Sequence, residues 1–180
     1  QLDEPLFVRI LLTGELPANY QRLSEKVEEM LIDFSGNNPL LEYEFADPLA
    51  GDKDQVQERQ RNLAEEGIYP VTVYSAASAS ERSSNLVYPY AIFYYGGRTR
   101  MAQLLQPAPR GFSEARQINK AESLLEYNFT RAIQGLTNND KPLIGITFGH
   151  GELPPQNTGD LFSTLVKDYE VGPVHLDSFA

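Results

Sequence analysis

A β-α-β pattern over residues 6–45 limits the folds open to this chain more than any other feature. The run LFVRILL, residues 6–12, is short and apolar and predicts a mostly buried strand. Next comes an amphipathic helix whose apolar positions recur at three- and four-residue steps from Tyr20 to Phe34. The segment LLEYEFADP then alternates apolar and acidic residues, as in a strand with one wet face. Because a helix connects the two strands, they are predicted to be parallel.

The following residues predict a second helix and further strands. A polar helix over 54–66 precedes a third strand, IYPVTVYS, and the segment AASASERSSN is predicted as a polar loop. The segment LVYPYAIFYYGGRTRMAQLLQ predicts a β-hairpin that turns at Gly96–Gly97, and Pro89 in its first arm favours an edge position or a bulge. A long helix follows near Ile118–Leu136.

This order of elements predicts an α/β protein of two parts. Residues 1–138 match a thioredoxin-like mixed sheet with flanking helices. In that layout a proline, usually cis, stands just before the third strand, and Pro70 is predicted to take this place. Residues 139–180 read as a strand, a helix and a strand, the β-α-β start of a truncated, doubly wound domain.

Composition excludes several classes of function. The chain carries 25 acidic and 15 basic residues, so its net charge of −10 repels phosphate backbones and predicts no nucleic-acid partner. It contains no cysteine, which excludes thiol catalysis, disulfides, iron–sulfur clusters and thiolate zinc sites. No apolar run reaches the roughly 18 residues that a membrane-spanning helix requires. Cofactors and metals are therefore not expected.

The loop TGELPANY follows the first strand and precedes the first helix, where α/β proteins often bind ligands. Its residues Thr13, Gly14 and Glu15, together with Pro70, are candidates for ligand or partner binding. In a thioredoxin-like protein this loop would hold the redox cysteines, which are absent here. A capping loop of a scaffold without redox chemistry is the interpretation that the sequence favours.

A second candidate loop, GHGE, follows the apolar strand LIGITF and consists of Gly149, His150, Gly151 and Glu152. A dinucleotide fingerprint would need glycine where Pro154 stands. His150 and Glu152 are also a candidate acid/base pair or half of a metal site. No third ligand is evident, so a tight turn that lets helix and strand pack closely is favoured over both.

Several segments, in their order and spacing, resemble the extracytoplasmic region of GldG, an auxiliary component of a gliding-motility ABC transporter: EPLFVRILLTGELPANYQRLSEKVEEMLIDFS, LEYEFADPL, YGGRTRMAQLL, SLLEYNFTRAIQGLT and KPLIGITFGHGEL. The resemblance implies a location on the periplasmic side of the cytoplasmic membrane, with anchoring helices elsewhere in the full-length protein. It also implies an ABC permease and, through it, a cytoplasmic ATPase as partners. It supplies no catalytic residues.

These observations predict a non-catalytic, extracytoplasmic interaction module of an ABC transporter complex. The alternative is a domain of the same transporter that binds a small solute or a glycan. A hydrolase that uses His150 and Glu152 ranks third. Two parallel strands over residues 143–176 cannot bury both edges and both faces alone. We therefore expect this segment to pack against another copy of the chain, as a homodimer, or onto the first domain.

Overall fold

A computed structural model describes residues 2–78, 81–106, 111–137, 142–148, 151, 153, 157–166 and 169–175. The chain divides into two compact units, Gln1–Thr137 and Asn138–Ala180. Among its described residues the first unit contains six strands and three helices: β1 (Leu6–Ile10), α1 (Ala18–Asn37), β2 (Leu41–Phe45), α2 (Lys53–Glu65), β3 (Val71–Ser78), β4 (Glu81–Val87), β5 (Tyr90–Tyr95), β6 (Arg98–Gln103) and α3 (Glu114–Thr137). The second contains β7 (Leu143–Phe148), α4 (Gly159–Leu165) and β8 (Glu170–His175).

The centre of the first unit is a four-stranded mixed sheet in the order β2-β1-β5-β6. Strands β1 and β2 are parallel, with Leu6 opposite Leu41, as the β-α-β pattern predicts. Strand β5 runs antiparallel to both β1 and β6. A mixed sheet with flanking helices confirms the predicted fold class, and the strand order agrees with a thioredoxin-like layout. The predicted turn at Gly96–Gly97 is also confirmed, since both glycines have positive φ.

The β3–β4 hairpin corrects two predictions. Strands β3 and β4 form a separate two-stranded sheet, so the segment 76–85 predicted as a loop lies largely in strands. The residues that flank this Ser/Ala-rich segment alternate between apolar and polar side chains, as strands do. The two halves of the segment therefore continue the flanking strands and pair with each other. Pro70 does directly precede the third strand, as predicted, but that strand lies outside the main sheet. Pro70 therefore does not take the place that a thioredoxin-like layout gives its proline.

Pro89, instead, stands directly before β5, the strand that pairs antiparallel with β1. The carbonyl oxygen of Pro89 accepts a hydrogen bond from the backbone N–H of Leu104. The edge position or bulge predicted for Pro89 is wrong, because β5 is a central strand and the proline lies outside it. Pro89 is in the short connection between the end of β4 at Val87 and the start of β5 at Tyr90. No described peptide bond is cis, so the cis bond predicted at Pro70 is not found either.

Helices α1 and α3 cover the first face of the sheet. Alternate residues of the strands, such as Val8 and Phe93, point to this face and are fully buried. The ring of Phe93 meets that of Phe129 from α3 edge to face, at 5.1 Å between centroids. The buried residues of the two helices recur at helical spacing: Tyr20, Leu23, Val27 and Leu31 in α1, and Ile118, Ala121, Leu125, Phe129, Ala132 and Leu136 in α3.

Helix α2 contacts one end of the second face and forms a smaller core there. Its only buried residue is Leu63. This second core consists of six buried residues: Leu11, Leu63, Ile68, Tyr88, Tyr90 and Ile92. The helix begins after Asp52, whose side chain accepts a hydrogen bond from the backbone N–H of Gln55.

The second unit contains the predicted β-α-β arrangement. Strands β7 and β8 are parallel, with Leu143 opposite Glu170, and α4 connects them. Large apolar side chains remain exposed in this unit, among them Leu143 at 71% and Leu161 at 53%. Every helix in the described ranges of the chain is too short or too polar to cross a bilayer.

Candidate functional site

The TGELP loop packs tightly against the end of β2. Gly14 has a φ of 93°, and a Cβ atom there would lie 2.5 Å from Oδ2 of Asp47. The backbone N–H of Thr13 donates to the carbonyl of Leu11 at 3.0 Å. A larger residue than glycine at position 14 would therefore need both a strained backbone and a displaced Asp47. The loop, which connects β1 to α1, therefore packs closely against the residues that follow β2.

The other two predicted residues of this region lie near the β3–β4 hairpin. The carbonyl oxygen of Glu15 accepts a long hydrogen bond of 3.5 Å from the side-chain amide of Asn85 in β4. Pro70 is partly buried and directly precedes β3. The structure thus places Glu15 against the hairpin that Pro70 introduces. Their predicted binding role stays a prediction.

The GHGE loop is described only in part. Gly151 has a φ of 85°, which is typical of a glycine in a turn. Gly149, His150 and Glu152 lie outside the described residues. The interpretations of this loop as a turn, an acid/base pair or half of a metal site stay predictions. Within the described ranges, no group of three or more His, Cys, Asp or Glu residues is arranged to hold a metal ion.

A groove of about 490 Å³ lies between α2 and the second face of the sheet. Its walls combine an apolar floor with charged and amide side chains: Arg9, Leu11, Glu44, Ala46, Asp47, Pro48, Arg59, Asn62, Leu63, Glu66, Ile92 and Tyr94. Thr13, Gly14, Glu15 and Pro70 are not among them. This groove was therefore not one of the loops singled out from the sequence.

The groove continues onto a part of the sheet that we call the open face. The open face consists of second-face side chains that are not among the six buried residues of the second core: Phe7, Arg9, Glu42, Glu44, Tyr94, Thr99 and Met101. Met101 is 41% exposed, although its strand neighbour Ile92 is buried. This face mixes aromatic, apolar and charged groups, whereas the described buried residues of the first face include no charged group.

Arg9 is the central charged group of the open face. Its Nε donates to Oε1 of Glu44 at 2.6 Å, because the two residues are directly opposite in the parallel pair β1–β2. The guanidinium carbon lies 5.9 Å from the ring centroid of Phe7 and 5.7 Å from that of Tyr94. The hydrogen bond to Glu44 is the main reason why the pKa of Arg9 is raised. Arg9 stays charged at all physiological pH values.

Arg59, the other cation of the groove, is committed to the backbone. Its Nη1 donates to the carbonyl oxygens of Asp47, Pro48 and Ala50 at 3.3, 2.9 and 2.8 Å. These three contacts from Arg59 hold the loop after β2 against α2. Oδ1 of Asp47 also accepts from the backbone N–H of Leu49 at 2.8 Å. Arg59 therefore shapes the groove wall, and the arrangement as a whole favours binding through charge and hydrogen bonds.

Tyr88 lies beneath the groove and serves as packing. Only 2% of its surface is exposed, and burial raises the pKa of its hydroxyl, while a hydrogen bond with Gln60 acts in the opposite direction. Sequence reasoning predicted the hairpin whose first arm contains Tyr88, Tyr90 and Tyr94 but not the groove. The missed signals were Arg9 in an otherwise apolar strand, and the two acidic residues that alternate along β2.

One family matches the first half of the chain. The family described as domain of unknown function (DUF7088) matches residues 1–94, which is more than half of the 180 residues. The chain belongs to this family. The DUF7088 segment runs from β1 into β5, and every residue that lines the groove falls within it. Neither a curated protein nor a solved structure matches the chain.

Proposed function

We propose that the chain is a non-catalytic, extracytoplasmic interaction module of an ABC transporter complex associated with gliding motility, and that the open face contacts the complex. One observation carries the second part of the proposal: α1 and α3 close the first face of the sheet, whereas α2 covers only one end of the second. The resemblance to GldG supports the identity of the complex, its permease and ATPase, and the periplasmic location.

The composition of the open face supports a protein contact. In α/β proteins the apolar side chains of a sheet are normally buried by another layer of the structure. Phe7 and Tyr94 are only partly covered by their own unit, which leaves apolar surface for a partner. Aromatic side chains, methionine and arginine are the residues enriched where proteins meet. Phe7, Arg9, Tyr94 and Met101 supply all of these types on adjacent strands.

Photo-crosslinking in the intact membrane complex tests this proposal. A photoreactive residue at Met101 is expected to crosslink to the permease. The matched control is Tyr127 on α3, which is more exposed, at 59%, but belongs to the layer behind the first face. Crosslinks to the permease from Tyr127 and none from Met101 would place the contact on the other side of the sheet and refute the proposal.

The alternative is a domain that binds a small solute or a glycan. The groove volume favours it, because ligand sites of proteins commonly enclose about 300–1,000 Å³. A ligand at a hundred times its dissociation constant stabilises a protein by about 2.7 kcal/mol. A thermal-shift screen of sugars and small solutes, repeated with Asn62→Ala, is expected to show a shift that this change abolishes. The same shift in the variant would exclude the groove.

A homodimer through residues 143–176 remains part of the proposal. The exposed side chains of Leu143 and Leu161 support it, since a two-stranded parallel sheet with one helix leaves apolar surface in water. Analytical ultracentrifugation is expected to show a dimer that Leu161→Lys converts to a monomer. A wild-type chain that stays monomeric at high concentration would contradict this part alone.

A further inference from the structure

We propose that the open face binds an amphipathic helix of the partner whose apolar stripe is flanked by lysine or arginine. The inference rests on the proposed function for the claim that the open face is an interface, and it adds the chemistry of the segment that binds there. Three properties of the face carry it: the number of helices on each side of the sheet, the position of its apolar residues, and its charge.

The first property is the uneven covering of the sheet. Two helices, α1 and α3, cover the first face of the four strands. The first face thus shows that these four strands have room for two helices side by side. The second face, which has the same width, therefore has room for α2 and one further helix. A helix is the element that sheets of this class normally bury their faces against.

The second property is an apolar row across adjacent strands. Phe7 of β1 is opposite Tyr94 of β5, and Ile92 of β5 is opposite Met101 of β6. The rings of Phe7 and Tyr94 lie 6.0 Å apart between centroids. Ile92 is buried in the second core, whereas Phe7 and Tyr94 are partly exposed and Met101 is largely exposed. These three side chains on adjacent strands offer the stripe of a helix an apolar surface on the open face.

The third property is the charge at the border of this row. Glu42 and Glu44 lie on the neighbouring strand β2, at one side of the apolar row. Asp47 and Glu66 line the groove beside α2. Arg9 is paired with one of these carboxylates, and Arg59 is bonded to backbone carbonyls. The face is thus acidic overall, within a chain of net charge −10. Basic residues beside the apolar stripe complement it, while anionic lipid headgroups and a second acidic copy are repelled.

A designed peptide tests the proposal without knowledge of the partner. The probe is an 18-residue helix with leucine at positions i, i+3, i+4 and i+7 and lysine elsewhere, and the matched probe has glutamate in place of lysine. Titration of the full chain, followed by NMR shifts of the amides of β1, β5 and β6, is expected to show binding of the lysine probe only. Shifts confined to α1 and α3, or equal binding of the glutamate probe, would overturn the proposal.

Charge-matched variants separate this face from general attraction to an acidic protein. Glu42→Lys with Glu44→Lys is expected to weaken the lysine probe about tenfold, because two close attractions become repulsions. Glu28→Lys with Asp33→Lys changes the net charge equally on the exposed side of α1 and is expected to leave binding unchanged. Equal weakening by both pairs would mean non-specific attraction and would overturn the proposal.

Two further measurements keep the test decisive. If the double variant on β2 unfolds, Glu42→Lys alone replaces it, because Glu42 is exposed and makes no contact with the core. Met101→Ser is expected to weaken the probe several-fold by removing part of the apolar row, and unchanged affinity would count against that row. If Met101 crosslinks to the permease but the lysine probe does not bind, the proposal that a basic amphipathic helix binds the open face is refuted. The proposed function would stand in that case.

Discussion

The two faces of the central sheet are built from the same four strands, and they differ in what covers them. The first face carries residues such as Val8 and Phe93, lies beneath two helices and contains no charged side chain among its buried residues. The second carries Arg9, Glu44 and Tyr94 and lies beneath one helix at one end. Alternation along a strand thus gives one face to the larger core and leaves much of the other in contact with solvent.

The largest expected effect compares two phenylalanines, one on each side of the sheet. Phe129→Ala should lower the free energy of unfolding by about 3–5 kcal/mol, because it removes a fully buried ring from the first core. Phe7→Ala should lower it by less than about half as much, since Phe7 lies partly in solvent. Urea denaturation of both variants measures the difference. Equal losses would show that the second face is as closed as the first.

The next prediction concerns the loop between β1 and α1. Gly14→Ala should lower the free energy of unfolding by about 1–3 kcal/mol, since the new Cβ requires positive φ and collides with Asp47. In a background of Asp47→Ala the same change should cost less, because only the backbone strain remains. Thermal denaturation of the wild type, the two single variants and the double variant gives the coupling free energy between positions 14 and 47. Identical costs in both backgrounds would exclude the contact between this loop and the groove wall.

A smaller effect tests the cover of the second face. Asp52→Ala removes the N-cap of α2 and should cost about 1 kcal/mol. Hydrogen exchange should accelerate in α2 and in the backbone around Leu63, with α1 and α3 unchanged, because these helices pack on the opposite face. Uniform acceleration throughout the sheet would show that the two faces do not open independently.

The smallest expected effect is that of the ion pair on the open face. A double-mutant cycle of Arg9→Met and Glu44→Gln should give a coupling below about 1 kcal/mol, because both side chains are more than 40% exposed. The coupling should fall further at high salt. A larger coupling that resists salt would mean that the pair is shielded from water and that the face is closed.

Local periodicity was sufficient to predict most of the central sheet. The three- and four-residue steps of α1, the alternation in β2 and the turn at Gly96–Gly97 each depend on neighbouring residues. The end of β3 and the start of β4 were missed because serine and alanine, which are frequent in residues 75–84, carry no strand signal. Pro70 and Pro89 each precede a strand, and the choice between them depends on which strand pairs with β1, which no local pattern records.

The groove could not be predicted because its parts are distant in sequence. Arg9 and Glu44 are 35 positions apart and meet only through the register of β1 and β2. Arg59 belongs to α2, a mostly polar helix whose contact with the sheet depends on Leu63. The predicted candidates Thr13, Gly14 and Glu15 came from a general rule about loops after strands. That rule located the end of β1 correctly but not the side of the sheet on which the groove lies.

Oxidation of the two methionines tests the central claim most directly. Met101 lies exposed on the open face, whereas Met30 of α1 is partly buried against the first core. Peroxide treatment followed by mass spectrometry should convert Met101 to the sulfoxide faster than Met30 in the isolated chain. In the assembled membrane complex Met101 should be protected and Met30 unchanged. Equal oxidation of Met101 with and without the complex would contradict an interface on the open face.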